Sequence, residues 1–206
     1  AYMEAQGIPL TEKELATVCR NCRGNAYAVR HTALKIQEGM SPGSALQQEI
    51  ENDFAEYLED HVMVQWDSDL LEFLMQLSVT EEFTLPLAET ITGNSYAVGI
   101  LERASETGNF LTVTDGVYRM HPVLLKALRK RAAKVFGSKV LKDHAYNAGL
   151  WYEMQGRIVP ALAMFEKCGN RERIRELLVR YARLNPGNGH YFELRRYYLG
   201  MKETEI

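Results

Sequence analysis

Cysteine is scarce in this chain. Three residues, Cys19, Cys22 and Cys168, are too few and too odd in number to form the disulfide framework of a small secreted protein. Cys19 and Cys22 make a C-x-x-C, yet no second pair and no histidines at ligand spacing accompany it, so it does not describe a zinc site. The pair falls at the end of a helical pattern, where small apolar side chains serve packing. Long apolar runs are absent too, and nothing approaches the ~20 residues a membrane-spanning helix needs. The first residues, AYMEAQGIPLTEKE, lack the basic and apolar stretches of a signal peptide. The expected location is therefore the cytoplasm, with no membrane partner. An excess of basic charge is missing as well. The net charge of -3 argues against nucleic acid as the main ligand, because phosphate binding wants a basic surface.

Catalytic motifs are likewise missing. There is no G-x-x-x-x-G-K-[ST], no H-E-x-x-H and no G-x-S-x-G. The five histidines, at 31, 61, 121, 144 and 190, show no ligand spacing. Acidic residues near His61 (Glu56, Glu59, Asp60) read as an exposed helix face, and Glu81 and Glu82 as loop residues. The expectation is a chain that is not itself an enzyme and holds no cofactor or metal of its own. It begins at Ala1 and not at Met, and both ends read as cuts within a longer protein.

What is present is helix punctuated by glycine and proline. Thr11 and Glu14 form a capping box that opens a helix to about Cys22. Further helices are predicted over 25–38, 44–66, from an Asp67 N-cap through Leu77, 85–92 and 95–107. The texture then changes. Phe110 to Thr114 is rich in β-branched residues, Asp115-Gly116 suits a turn with two positive φ angles, and Val117 to Met120 is the return strand. Pro122 starts a helix to about Phe136, and helices over 138–155, 159–167 and 171–184 follow. A loop at Asn185 to Gly189 precedes a last short helix. The predicted fold class is mainly α. A helical bundle (1–66) leads to a winged helix with one β-hairpin (67–136), then to tetratricopeptide-like (TPR-like) helical hairpins (138–206).

Three short helices and a wing suggest DNA binding. The third helix opposes that reading, since its only base is Arg103, set between Glu102 and Glu106. The basic run Lys126, Arg129, Lys130, Arg131 and Lys134 reads as a solvated helix face. In the last part, Gly149, Tyr152, Gly156, Ile158, Ala161 and Phe165 fall at the spacing of one tetratricopeptide unit. Small residues there let antiparallel helices approach closely.

Tyr118-Arg119-Met120-His121-Pro122 followed by Val123-Leu124-Leu125 resembles the Y-R-x-H-P-L segment of the maltose-regulator-like ATPases. These are bacterial transcription activators with a LuxR-type output domain, within the STAND class of switch NTPases. Leu71 to Ser78, Gly93 to Leu101 and Ala145 to Gly156 are similar to further segments of that family, in the same order. Arg23 to Val29 looks like the start of its lid helix. There the class places Gly-x-Pro and this chain has Gly24-Asn25-Ala26, without the proline.

The resemblance implies a signal-responsive switch. A P-loop domain earlier in the parent chain would bind ATP or ADP, and sensor repeats would follow this segment. DNA would be contacted only by an output domain outside it. The resemblance puts nucleotide sensing on His121, next to Arg119, and an adenine-side lid contact on Gly24 and Asn25. For His121 the other reading is a helix cap. Two rival functions stand beside the switch: a stand-alone winged-helix DNA-binding protein, and a helical-repeat adaptor for protein partners.

Overall fold

The computed structural model describes residues 2–22, 26–41, 43–106, 110–184 and 191–200. The chain divides into two compact units, Ala1–Trp66 and Asp67–Ile206. Among the described residues no helix is long and apolar enough to cross a membrane.

The first unit contains α1 (Tyr2–Ala5), α2 (Glu12–Cys22), α3 (Ala26–Gln37) and α4 (Ser44–Tyr57). The capping box forms as the sequence predicts. The Thr11 N–H donates to Glu14 Oε2 at 2.9 Å, and the Glu14 N–H donates to Thr11 Oγ1 at 3.3 Å. The Thr11 hydroxyl also donates to Glu14 Oε2 at 2.7 Å, and this bond together with that from the Thr11 N–H favours the charged carboxylate, so the Glu14 pKa lies below its ordinary value. Cys22 is buried with Met3, Ile8, Val18 and Ala33 and contacts the Thr32 hydroxyl at 3.5 Å, whereas Cys19 is exposed. The C-x-x-C thus places one sulfur in the core and the other in solvent. Tyr27 on α3 stacks on Phe54 and Tyr57 of α4, and His31 Nε2 lies 2.8 Å from Asp53 Oδ2.

The helix expected over 44–66 changes form at its end. The α-helix stops at Tyr57 and continues as a π turn (Leu58–Val62) and a 3-10 turn (Met63–Gln65). Burial supplies the reason. Leu58 is 0% exposed and Met63 1%, and they lie five residues apart. A turn bonded from i to i+5 aligns such residues, and the Met63 N–H does donate to Leu58 O.

The second unit begins with α5 (Ser68–Leu77), β1 (Glu82–Thr84), α6 (Leu85–Thr92) and α7 (Ala97–Glu106). Next come β2 (Leu111–Thr114), β3 (Val117–Met120) and α8 (Pro122–Val135). The sheet has three antiparallel strands in the order β1-β3-β2, so the wing is more than the single hairpin read from sequence. The extra strand β1 pairs Phe83 with Tyr118, whose rings stack at 5.5 Å. Asp115 and Gly116 have φ of 52° and 74°, as the turn between β2 and β3 requires. The side of this fold facing the helices is closed by Leu77, Phe83, Leu87, Ile91, Leu124 and Leu128, all fully or almost fully buried.

The remaining elements are α9 (Gly137–Met154), α10 (Ile158–Cys168), α11 (Arg171–Leu184) and α12 (Tyr191–Leu199). The antiparallel pair α9 and α10 is closely packed, with Gly149 facing the ring of Phe165. Helix α9 also packs on α6, and His144 Nδ1 lies 2.8 Å from Ile91 O. A carbonyl only accepts, so Nδ1 carries the ring proton. The winged helix and the helical hairpin share one compact unit through α9.

Candidate functional site

His121 occupies the junction between wing and helix. Its backbone N–H donates to Phe110 O at 2.7 Å, which ties it to the base of β2. Its φ and ψ of -58° and 134° are extended, as expected before a proline. It is the N-cap of α8, with Pro122 in the first turn, and Nδ1 accepts the Val123 N–H at 3.3 Å. A ring nitrogen that accepts carries no proton, so the neutral ring holds its proton on Nε2. Capping and a donor role therefore use different nitrogens of one ring.

Arg119 lies two residues earlier on β3. Its Nε donates to Glu82 Oε2 at 2.9 Å, across the β1–β3 pair. Glu82, read from sequence as a loop acid, is in fact a strand residue facing a cation. The three residues of β1 are too short a run to show an alternation in sequence. Gly24 and Asn25, the expected adenine-side contact, lie outside the described residues.

The helix that would read DNA is poorly equipped for it. Arg103, the only base in α7, gives its guanidinium to the Asp67 carboxylate. Asp67 thus occupies the N-cap position of α5 without making a side-chain cap bond. The cleft beside α5 and α7, about 500 Å³, is lined by the carboxylates Asp69 and Glu72 and by the already paired Arg103, with Gln76 and Tyr96 among others. Tyr96 is 82% exposed. Two carboxylates beside a cation already paired with Asp67 leave little to attract phosphate. The chain is therefore expected to show no salt-dependent affinity for duplex DNA. A fluorescence anisotropy titration at 50 and 200 mM salt checks this, and binding that weakens steeply with salt would restore the DNA reading. Among the described residues no group of three His, Cys, Asp or Glu side chains is arranged to hold a metal.

Helices α5 to α7, the three-stranded sheet and α8 define a winged-helix domain. Residues 58–139 match the family model described as the MalT winged helix domain. Over 164 residues the chain is 26% identical to the serine/threonine-protein kinase PknK of Mycobacterium tuberculosis. That match covers 77% of this chain and 15% of the kinase. Over 185 residues it is 24% identical to the HTH-type transcriptional regulator MalT of Yersinia enterocolitica, covering 85% of this chain and 20% of the regulator. The chain thus spans a small part of the relatives it matches. It is similar to MalT-like regulators through its winged helix and the segments beside it.

Proposed function

We propose that this chain is the regulatory segment of an ATP-dependent, signal-responsive bacterial transcription regulator of the STAND class. The supporting observation is the match of residues 58–139 to the MalT winged helix domain, with His121 at the join of wing and α8. Residues 1–66 act as the lid-like bundle, 67–136 as the winged helix and 138–206 as the first TPR-like hairpins of a sensor array. The segment is not an enzyme. ATP or ADP belongs to a P-loop domain earlier in the same protein, and DNA to a LuxR-type output domain elsewhere in it. The setting is cytoplasmic.

The relatives favour a shared regulatory role over a catalytic one. One is named a kinase and the other a transcriptional regulator, yet both align with this same segment. A module common to both is best read as a control element. In this reading Nε2–H of His121 donates to the β-phosphate of ADP in the closed state. A bond made in one state and lost in the other shifts the equilibrium between them. Arg119 adds positive field beside it, moderated by Glu82. Gly24 and Asn25 are the lid residues assigned to the adenine side.

The test is the reading frame that encodes the segment. A Walker A motif upstream and a helix-turn-helix domain downstream support the proposal. Stop codons close to both ends would overturn it and leave a helical adaptor for protein partners.

A further inference from the structure

The loop after α5 and the facing sides of α8, α9 and α10 border an open cavity of about 310 Å³. Three cationic residues line it, one from each helix: Arg129, Lys142 and Lys167. Ser138 adds a hydroxyl, while Val79 and Leu141 supply apolar wall. Two of the cations are held in place. Arg129 Nε donates to Ser78 O at 2.8 Å, and Lys167 Nζ donates to Val79 O at 2.9 Å.

These bonds satisfy donors without cancelling charge, because both acceptors are neutral carbonyls. Among the described residues none of the three cationic groups forms an ion pair with a carboxylate. Glu81 is the carboxylate whose field reaches both Arg129 and Lys167. Burial pushes the Lys167 ammonium below its ordinary pKa, and the Arg129 guanidinium pushes it further. Glu81 opposes this without reversing it. All three residues are exposed, and like charges gathered around one cavity without a carboxylate in ion-pair contact among the described residues favour a counter-ion. Three donors of one sign around a small cavity suit a tetrahedral oxyanion. The volume is at the lower end of small-ligand cavities, ~300–1,000 Å³.

We propose that this cavity binds the phosphate group of a small phosphate ester, held by Arg129, Lys142 and Lys167, with the organic part against Val79 and Leu141. The site lies within the unit that contains the winged helix and the first helical hairpin. A ligand there clamps α8, α9 and α10 together, so the site offers a second input separate from His121.

The experiment is calorimetric titration of the chain with inorganic phosphate and with phenyl phosphate at low ionic strength. Saturable binding near the millimolar range is expected, about threefold or more tighter for phenyl phosphate because of its apolar body. Lys142→Gln removes a charge that makes no side-chain bond among the described residues, and it is expected to weaken both ligands about five- to tenfold. Lys139→Gln, on α9 but not lining the cavity, is expected to change neither. Absence of saturation would overturn the site. Equal losses in Lys139→Gln and Lys142→Gln would replace it with a diffuse surface field. Equal affinity for the two probes would overturn the apolar half of the assignment. Circular dichroism of both variants confirms that folding is unchanged. Since neither outcome depends on an ATPase domain, this test is separate from that of the switch.

Discussion

Phe165→Ala is expected to lower the stability of the second unit by about 3–5 kcal/mol, the cost of removing a buried aromatic ring and leaving its cavity. Phe165 is 0% exposed and fills the space between α9 and α10. Its ring also sets what the facing position can be. A Cβ added at Gly149 would lie 2.6 Å from one ring carbon and 2.8 Å from another. Gly149→Ala gains about 1 kcal/mol of helix propensity but forces the ring or the helix to move, at about 1–3 kcal/mol. The expected result is a net loss. The two changes are also expected to be non-additive. With Phe165→Leu in place, Gly149→Ala should cost less than it does alone, because the smaller side chain leaves room. Urea denaturation of the four proteins of this cycle provides the measurement. Strict additivity would mean that Gly149 is not there to admit the ring.

Glu153→Ala is expected to cost about 1–3 kcal/mol, as charged groups lose bonded partners. Glu153 stands on α9 with its side chain 10% exposed. Both its oxygens accept from Arg173 Nη2 at 3.0 Å, and Oε1 also accepts from Arg180 Nη1 at 2.8 Å. Both arginines belong to α11, so one carboxylate fastens the third helix of the array to the first. Hydrogen bonds to Glu176 and the nearby Glu153 charge hold the Arg173 pKa above its ordinary value. Among the described residues Arg173 Nε is already buried without an acceptor, so losing Glu153 strands more of the guanidinium. Thermal unfolding should shift by about 2–4 °C for each kcal/mol lost. The defect should persist in 0.5 M salt, since a withdrawn pair is screened less than a surface one. A loss confined to low salt would reduce Glu153 to an ordinary surface pair.

Local chemistry was legible in the sequence, and contacts between distant residues were legible only where a repeat spacing announced them. Thr11 with Glu14, Asp115 with Gly116, and Pro122 after His121 each signal their structure within four residues, and each forms as read. The close approach at Gly149 was legible from the small residues at regular spacing. The π turn at Leu58 was hidden, because its cause is the burial of Met63 and not a local preference. Strand β1 was hidden because its partner β3 lies 37 residues away at Glu82 and Arg119. Asp67 carries the composition of an N-cap, yet Arg103 takes its carboxylate. For His121 the sequence left both a cap and a phosphate contact open. The structure shows the cap on Nδ1, and Nε2 is the nitrogen that would serve phosphate.

That division of labour gives the most direct measurement of the switch. It compares ADP release from the full-length protein carrying this segment in the wild type and in His121→Asp. Aspartate is a good N-cap acceptor, so α8 and the thermal stability should be retained. It also replaces a donor with a negative charge facing the β-phosphate. The phosphate role of His121 predicts ADP release at least about tenfold faster, equivalent to about 1.4 kcal/mol, with the unfolding temperature nearly unchanged. Unchanged ADP release in a stably folded His121→Asp protein would contradict it and leave His121 as a helix cap alone.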